Sequence, residues 1–143
     1  MSQTLEQKRA VYTLGFINAH VKDDPADKAK LATQIQKTPI RILQNGLGQA
    51  LAFLLADDKG KHTDPSYKLY LHLQGWLCGA DSLDHPCRIY GGQQCNLMEQ
   101  LMEGSRAQYL QAQEEAIRLF AWLKKFADAC LEESKDATPT TSE

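Results

Sequence analysis

No apolar run in the chain approaches the roughly 20 residues that cross a bilayer. The opening MSQTLEQKR also lacks the apolar core of a secretory signal. The expectation is a cytoplasmic protein with no membrane contact. Positive charge is not in excess: 16 Lys and Arg stand against 18 Asp and Glu, a formal net charge of -2. This argues against a strongly basic nucleic-acid binder. The four cysteines, Cys78, Cys87, Cys95 and Cys130, include no Cys-x-x-Cys pair. Without a secretion signal a disulfide framework is not expected. The best metal candidate is the loop cluster Cys78, His85, Cys87 and Cys95, but its spacing lacks the paired cysteines of common zinc sites. Unpaired thiols are therefore expected, with no metal and no cofactor.

Catalytic signatures are missing too. There is no glycine-rich phosphate loop after a strand, no HExxH, no DxDxDG and no GxSxG. His20, His62, His72 and His85 fall in separate segments. The carboxylates Glu99, Glu103, Glu114 and Glu115 read as solvated helix faces rather than as acid–base pairs. The expectation is a protein that is not an enzyme.

What is present is helical periodicity. The chain has 143 residues, 43% of them apolar, enough for one domain with a sizeable core. No segment reads convincingly as a strand. Helices are expected from about Thr4 to Val21, Asp24 to Gln36, Thr38 to Asp57, Pro65 to Cys78, Asn96 to Met102 and Ser105 to Glu133. Thr4 with Gln7 resembles a capping box, and Ser105 caps the longest helix. Ala10, Val11, Leu14, Ile17 and Val21 form the apolar stripe of the first helix. Tyr109, Ala112, Ala116, Leu119, Phe120, Leu123, Phe126, Ala127 and Cys130 form that of the last. The fold class is all-α, a single compact bundle of five to six helices over residues 1–133, followed by a disordered acidic tail, 134–143. Charge is unevenly spread. Residues 1–56 hold seven bases and four acids, while Glu132, Glu133, Asp136 and Glu143 gather at the end.

The stretch RILQNGLGQALAFLLA, Arg41 to Ala56, carries two glycines inside a helical pattern, each costing about 1 kcal/mol relative to alanine. Thr38-Pro39 reads as its N-cap and first residue. Projected as one helix, Ile40, Leu43, Leu47, Leu51, Leu54 and Leu55 share a broad apolar side. Arg41, Asn45, Gly48, Gln49, Ala52 and Ala56 form a polar trough of small residues. The trough fits a second backbone, either a helix of the same domain or a neighbouring chain. Gly46 lies in the apolar surface, where it permits close helix packing.

Two mixed surfaces remain. On the last helix Arg118, Trp122 and Lys125 face away from the core, with Lys124 at the edge. Tryptophan among cations suits a protein partner or nucleic acid, or else the ring is folded under the loop from Gly79 to Gln94. On the first helix Lys8, Arg9, Tyr12 and Phe16 make a similar face.

Three blocks, RILQNGLGQALAFLLA, YKLYLHLQGWL (Tyr67 to Leu77) and LMEQLMEGSRAQYLQAQEEAIRLFAWLKKFADA (Leu97 to Ala129), with the opening EQKRAVYTL, resemble in order the small all-helical subunit of type III-B CRISPR effector complexes, the Cmr RNA-targeting complexes. The resemblance implies a non-catalytic subunit in antiviral defence. Its copies stack along a filament, beside the backbone subunit that holds CRISPR RNA and near the Cas10-type large subunit, and touch guide and target RNA through the phosphate backbone. Charge and helical face then select Lys8, Arg9, Arg41, Arg118, Lys124 and Lys125 for phosphates, with Asn45 and Gln49 adding hydrogen bonds. Tyr12, Gly48 and Trp122 are selected for partner interfaces. The alternative is a protein–protein adaptor with no RNA contact.

Overall fold

A computed structural model describes residues 3–78, 89–90 and 96–131. Its six helices are α1 Leu5–His20, α2 Pro25–Asn45, α3 Leu47–Asp58, α4 Pro65–Cys78, α5 Leu97–Glu103 and α6 Arg106–Cys130. Among the described residues all regular structure is helical, an all-α bundle. The tail expected from residue 134 lies outside them.

Helix starts are set by local chemistry. The Thr4 and Gln7 side chains cap each other's backbone N–H groups, and Ser105 and Gln108 do the same at α6. Asp24 accepts from the Asp27 N–H ahead of Pro25. Asn96 accepts from the Glu99 N–H and so caps α5. The Tyr70 hydroxyl and the Gln74 amide oxygen of α4 take the next two free N–H groups, those of Met98 and Leu97.

The core runs through α2, α3, α4 and α6. Leu31, Ile35, Ile42, Leu47, Leu51, Leu54, Leu69, Leu73, Leu77, Leu119, Phe120 and Leu123 are buried to 1% exposure or less. Each such side chain contributes about 1.5–3 kcal/mol by leaving water. Of the predicted α6 stripe, Ala112, Ala116, Leu119, Phe120, Leu123 and Ala127 are buried, and Tyr109, Phe126 and Cys130 are half-buried against them.

Two expectations about the middle of the chain are corrected. Thr38-Pro39 does not start a helix. Pro39 lies inside α2, and Thr38 is buried with its hydroxyl donating to the Gln34 carbonyl at 2.6 Å. An interior proline usually costs about 3 kcal/mol. Here α2 is tied to the core on both sides of it, by Ile35 and Ile42. Nor is the glycine stretch one helix. It breaks at Gly46, whose φ of 90° lies where L side chains are strained. The break resets the helical phase, so Ile40 and Leu43 of α2 no longer share a face with Leu47, Leu51 and Leu54 of α3: they face solvent, while Ile42 turns into the core.

The start of α3 is completed by α6. The Gln113 amide oxygen accepts from the Leu47 N–H at 2.9 Å, and the Tyr109 hydroxyl accepts from the Gly48 N–H at 2.8 Å. A Cβ on Gly46 would lie 3.0 Å from that hydroxyl.

Between α3 and α4 the chain makes a tight polar turn. Lys59, Gly60 and His62 all have positive φ, at 56°, 76° and 61°. A left-handed conformation costs about 1–2 kcal/mol at each non-glycine residue. Asp58 holds the turn, accepting from the N–H groups of His62 at 2.7 Å and Asp64 at 3.1 Å. Burial pushes the Asp58 carboxyl up, but these N–H groups outweigh it and hold the group below the usual carboxylate range.

Candidate nucleic-acid interface

The cations chosen from sequence divide into those engaged within the fold and those left at its surface. Arg9 belongs to the first group, and its placement on an exposed face is corrected. It is 5% exposed, and its guanidinium forks onto Glu115 of α6, Nε to Oε2 at 2.6 Å and Nη2 to Oε1 at 2.8 Å. Trp76 of α4 donates its indole N–H to the same Oε2 at 2.8 Å. Glu115, expected on a solvated face, is therefore buried as the acceptor that joins α1, α4 and α6. Such a pair is tolerable only when its remaining valences are met. Arg9 Nη1 turns to Glu6 at 3.0 Å, and Trp122 donates to the same Glu6 oxygen at 3.3 Å. The Trp122 and Arg9 hydrogen bonds hold the Glu6 carboxyl below its ordinary range.

Trp122 is thus half-buried against α1 and stacked on Phe126, ring centroids 5.5 Å apart. Tyr12, chosen as an interface residue, also packs inward. Its hydroxyl donates to the His72 carbonyl at 2.6 Å, and its ring stacks on the His72 imidazole at 4.4 Å. Phe16 covers the other face of that imidazole at 4.3 Å. This approach requires Gly75, where a Cβ would lie 2.5 Å from the Tyr12 hydroxyl. His72 Nε2 is buried with no hydrogen-bond partner. Burial, with His20 nearby, pushes its pKa down to about 3, so the ring is neutral. Gly48 is buried under the Tyr109 and Met102 side chains, so what fills the trough at this point is side chains of the same domain. Arg41 is half-buried, its guanidinium 4.4 Å over the Phe53 ring and 3.3 Å from the Gln34 amide oxygen.

The rest lie at the surface. Asn45 and Gln49 are exposed on either side of the Gly46 break. Arg118 is exposed and pairs with Glu114 at 2.7 Å. Lys124 and Lys125 are exposed on α6, and neither makes an ion pair among the described residues. Lys8, half-buried on α1, is likewise without one.

Cys78 corrects the expectation of unpaired thiols: it is disulfide-bonded, with its partner outside the described residues. His85, Cys87 and Cys95 of the candidate zinc cluster also lie outside them. Among the described residues no three His, Cys, Asp or Glu side chains gather to hold a metal, and no helix is long and apolar enough to cross a membrane.

The helical order, the glycine corner closed by α6 and the α1–α4–α6 contact span one continuous stretch of chain. The family model described as CRISPR-associated protein (Cas_Cmr5) matches residues 5–130 of it. The chain belongs to that family, the small subunits of type III-B CRISPR Cmr complexes.

Proposed function

We propose that this subunit is non-catalytic and structural. It stacks in copies along the Cmr filament, beside the backbone subunit and near the Cas10-type large subunit, and touches guide and target RNA through phosphates without reading sequence. It acts in the cytoplasm, in antiviral defence. The observation that carries the reading is the pair Lys124 and Lys125, exposed side by side on a rigid helix with no acid partner among the described residues. Lys8 and Arg118 supplement them, the latter by exchanging Glu114 for a phosphate. Asn45 and Gln49 supply neutral donors. Contacts of this kind position a strand and give binding that weakens steeply with salt.

The test is Lys124→Glu with Lys125→Glu in the assembled complex. Target RNA binding weakens, and the log–log salt slope falls by about 0.7 per lost phosphate contact. Unchanged RNA binding by a complex that still assembles overturns the reading.

A second reading, a protein–protein adaptor, is favoured by Ile40 and Leu43, which are 53% and 74% exposed on the outer side of α2. Gly48 and Tyr12, engaged inside the domain, no longer support it. Under that reading the lysine reversal disturbs assembly first, and ultraviolet crosslinking of the complex yields no adducts between RNA and this subunit.

A further inference from the structure

The turn between α3 and α4 sorts its charges. Its acids face inward: Asp58 is 2% exposed and holds the turn's N–H groups, and Asp57 accepts from the buried Gln34 amide at 2.5 Å. Asp64 caps Ser66 and pairs with Lys30 at 2.5 Å. Its bases face outward: Lys59, Lys61 and, one turn into α4, Lys68 are exposed and make no ion pair among the described residues. An acid-rich segment, DDKGKHTD, therefore presents a cationic surface.

Between those lysines lies a flat ring pair. The His62 imidazole stacks on Tyr67, centroids 4.4 Å apart and planes within 11°. His62 is exposed, and the stack is made from a left-handed backbone conformation that an ordinary turn residue avoids. Backbone strain of this kind is informative when the surroundings enforce it, and here the buried Asp58 carboxylate does so.

We propose that this turn is a second contact for single-stranded RNA, on residues separate from the α6 lysines. One base stacks on the outer face of His62, and the adjoining phosphates are met by Lys59, Lys61 and Lys68. A flat ring flanked by flexible cations is what an unpaired base with its phosphodiester backbone requires; a duplex, whose bases are already stacked, gains only the charge contacts. An acidic peptide would use the lysines and leave the ring unused. The inference rests on the RNA-contact reading of the subunit but on none of its residues.

The experiment uses the full chain with a fluorescent oligouridylate carrying 4-thiouridine, at low salt. Photo-adducts are mapped by mass spectrometry, and binding is followed by anisotropy. His62→Gly removes the ring and suits the positive φ, so the fold is kept; Lys59→Glu with Lys61→Glu removes charge at exposed positions. Adducts within residues 59–68, with about tenfold weaker binding for His62→Gly, are expected. Adducts confined to α1 and α6 overturn this site and leave the proposed function standing. Adducts at neither region overturn both. An unchanged affinity for His62→Gly, with RNA displaced equally well by polyglutamate, overturns the base-stacking site in favour of an acidic protein segment.

Discussion

α1 and α6 pack against each other, yet only α6 buries the face its sequence advertises. Along α6 the buried positions from Ala112 to Ala127 are apolar apart from Glu115, the acceptor of the fork from α1. Along α1 the buried residues are Arg9, Thr13 and Ile17, while Val11 and Leu14 of the apparent apolar stripe are 59% and 37% exposed. α6 contacts several neighbours through a broad apolar surface. α1 is fixed by a few directional bonds: the Arg9–Glu115 fork, the Trp76 and Trp122 donors, and the Tyr12 hydroxyl on α4. Hydrophobic periodicity locates a helix that packs by area. It misplaces one held by a polar knot whose partners are distant in sequence.

The difference can be broken at the knot. Arg9→Ala leaves Glu115 charged, buried and deprived of its fork, and should cost about 3–5 kcal/mol in urea denaturation. Replacing both partners, Arg9→Met with Glu115→Leu, should restore much of that loss, because no uncompensated charge remains.

Acid should loosen the same helix through His72. The ring is neutral in the folded protein, its pKa near 3, whereas the unfolded chain takes up the proton at an ordinary 6.5. The unfolded state therefore binds more protons between these values. Stability is complete above pH 6.5 and falls as pH drops toward 3, by up to about 1.4 kcal/mol per pH unit for this one group. His72→Phe keeps a ring between Tyr12 and Phe16 and should flatten the wild-type slope by that amount. Equal slopes in the two proteins would sink this account.

Gly75→Ala attacks the steric half of the arrangement. The added methyl displaces the Tyr12 hydroxyl from the His72 carbonyl, and thermal denaturation should report about 1–3 kcal/mol of destabilisation. The smallest effect sharpens the comparison most. Val11→Lys, a charge placed in the apparent core stripe of α1, should change stability by less than about 0.5 kcal/mol. Leu119→Ala in the true stripe of α6 should cost about 2–5 kcal/mol.

What was legible in the sequence follows the same division. Thr4 with Gln7, Asp24 and Ser105 mark helix starts through purely local chemistry, and all three stand where the sequence places them. Gly46 reads as a packing glycine, and α6 does approach it closely, but its second role as a positive-φ corner depends on Gln113 and Tyr109, which cap the residues just after it. Thr38-Pro39 has the composition of a helix start, and only tertiary burial shows it to be a helix interior. Among the candidate contact residues, Lys124, Lys125 and Arg118 are exposed as the projection of α6 implies, whereas Asn45 and Gln49 are exposed on two separate helices, not on the single one projected. Arg9 and Tyr12 fail projection because α1 does not pack by area. The ring pair of His62 and Tyr67 was invisible, since a turn has no periodicity to project and backbone handedness is not written in residue type.

The corner at Gly46 also bears on the order in which the chain acquires structure during synthesis. The acceptors that complete the first turn of α3 come from residues 66 and 61 positions later. As the ribosome releases α2 and α3, both N–H groups have only water as a partner, and the corner stays open until α6 has emerged. A nascent chain stalled before Tyr109 should show a protease-sensitive hinge at residues 45–48 that the finished protein lacks.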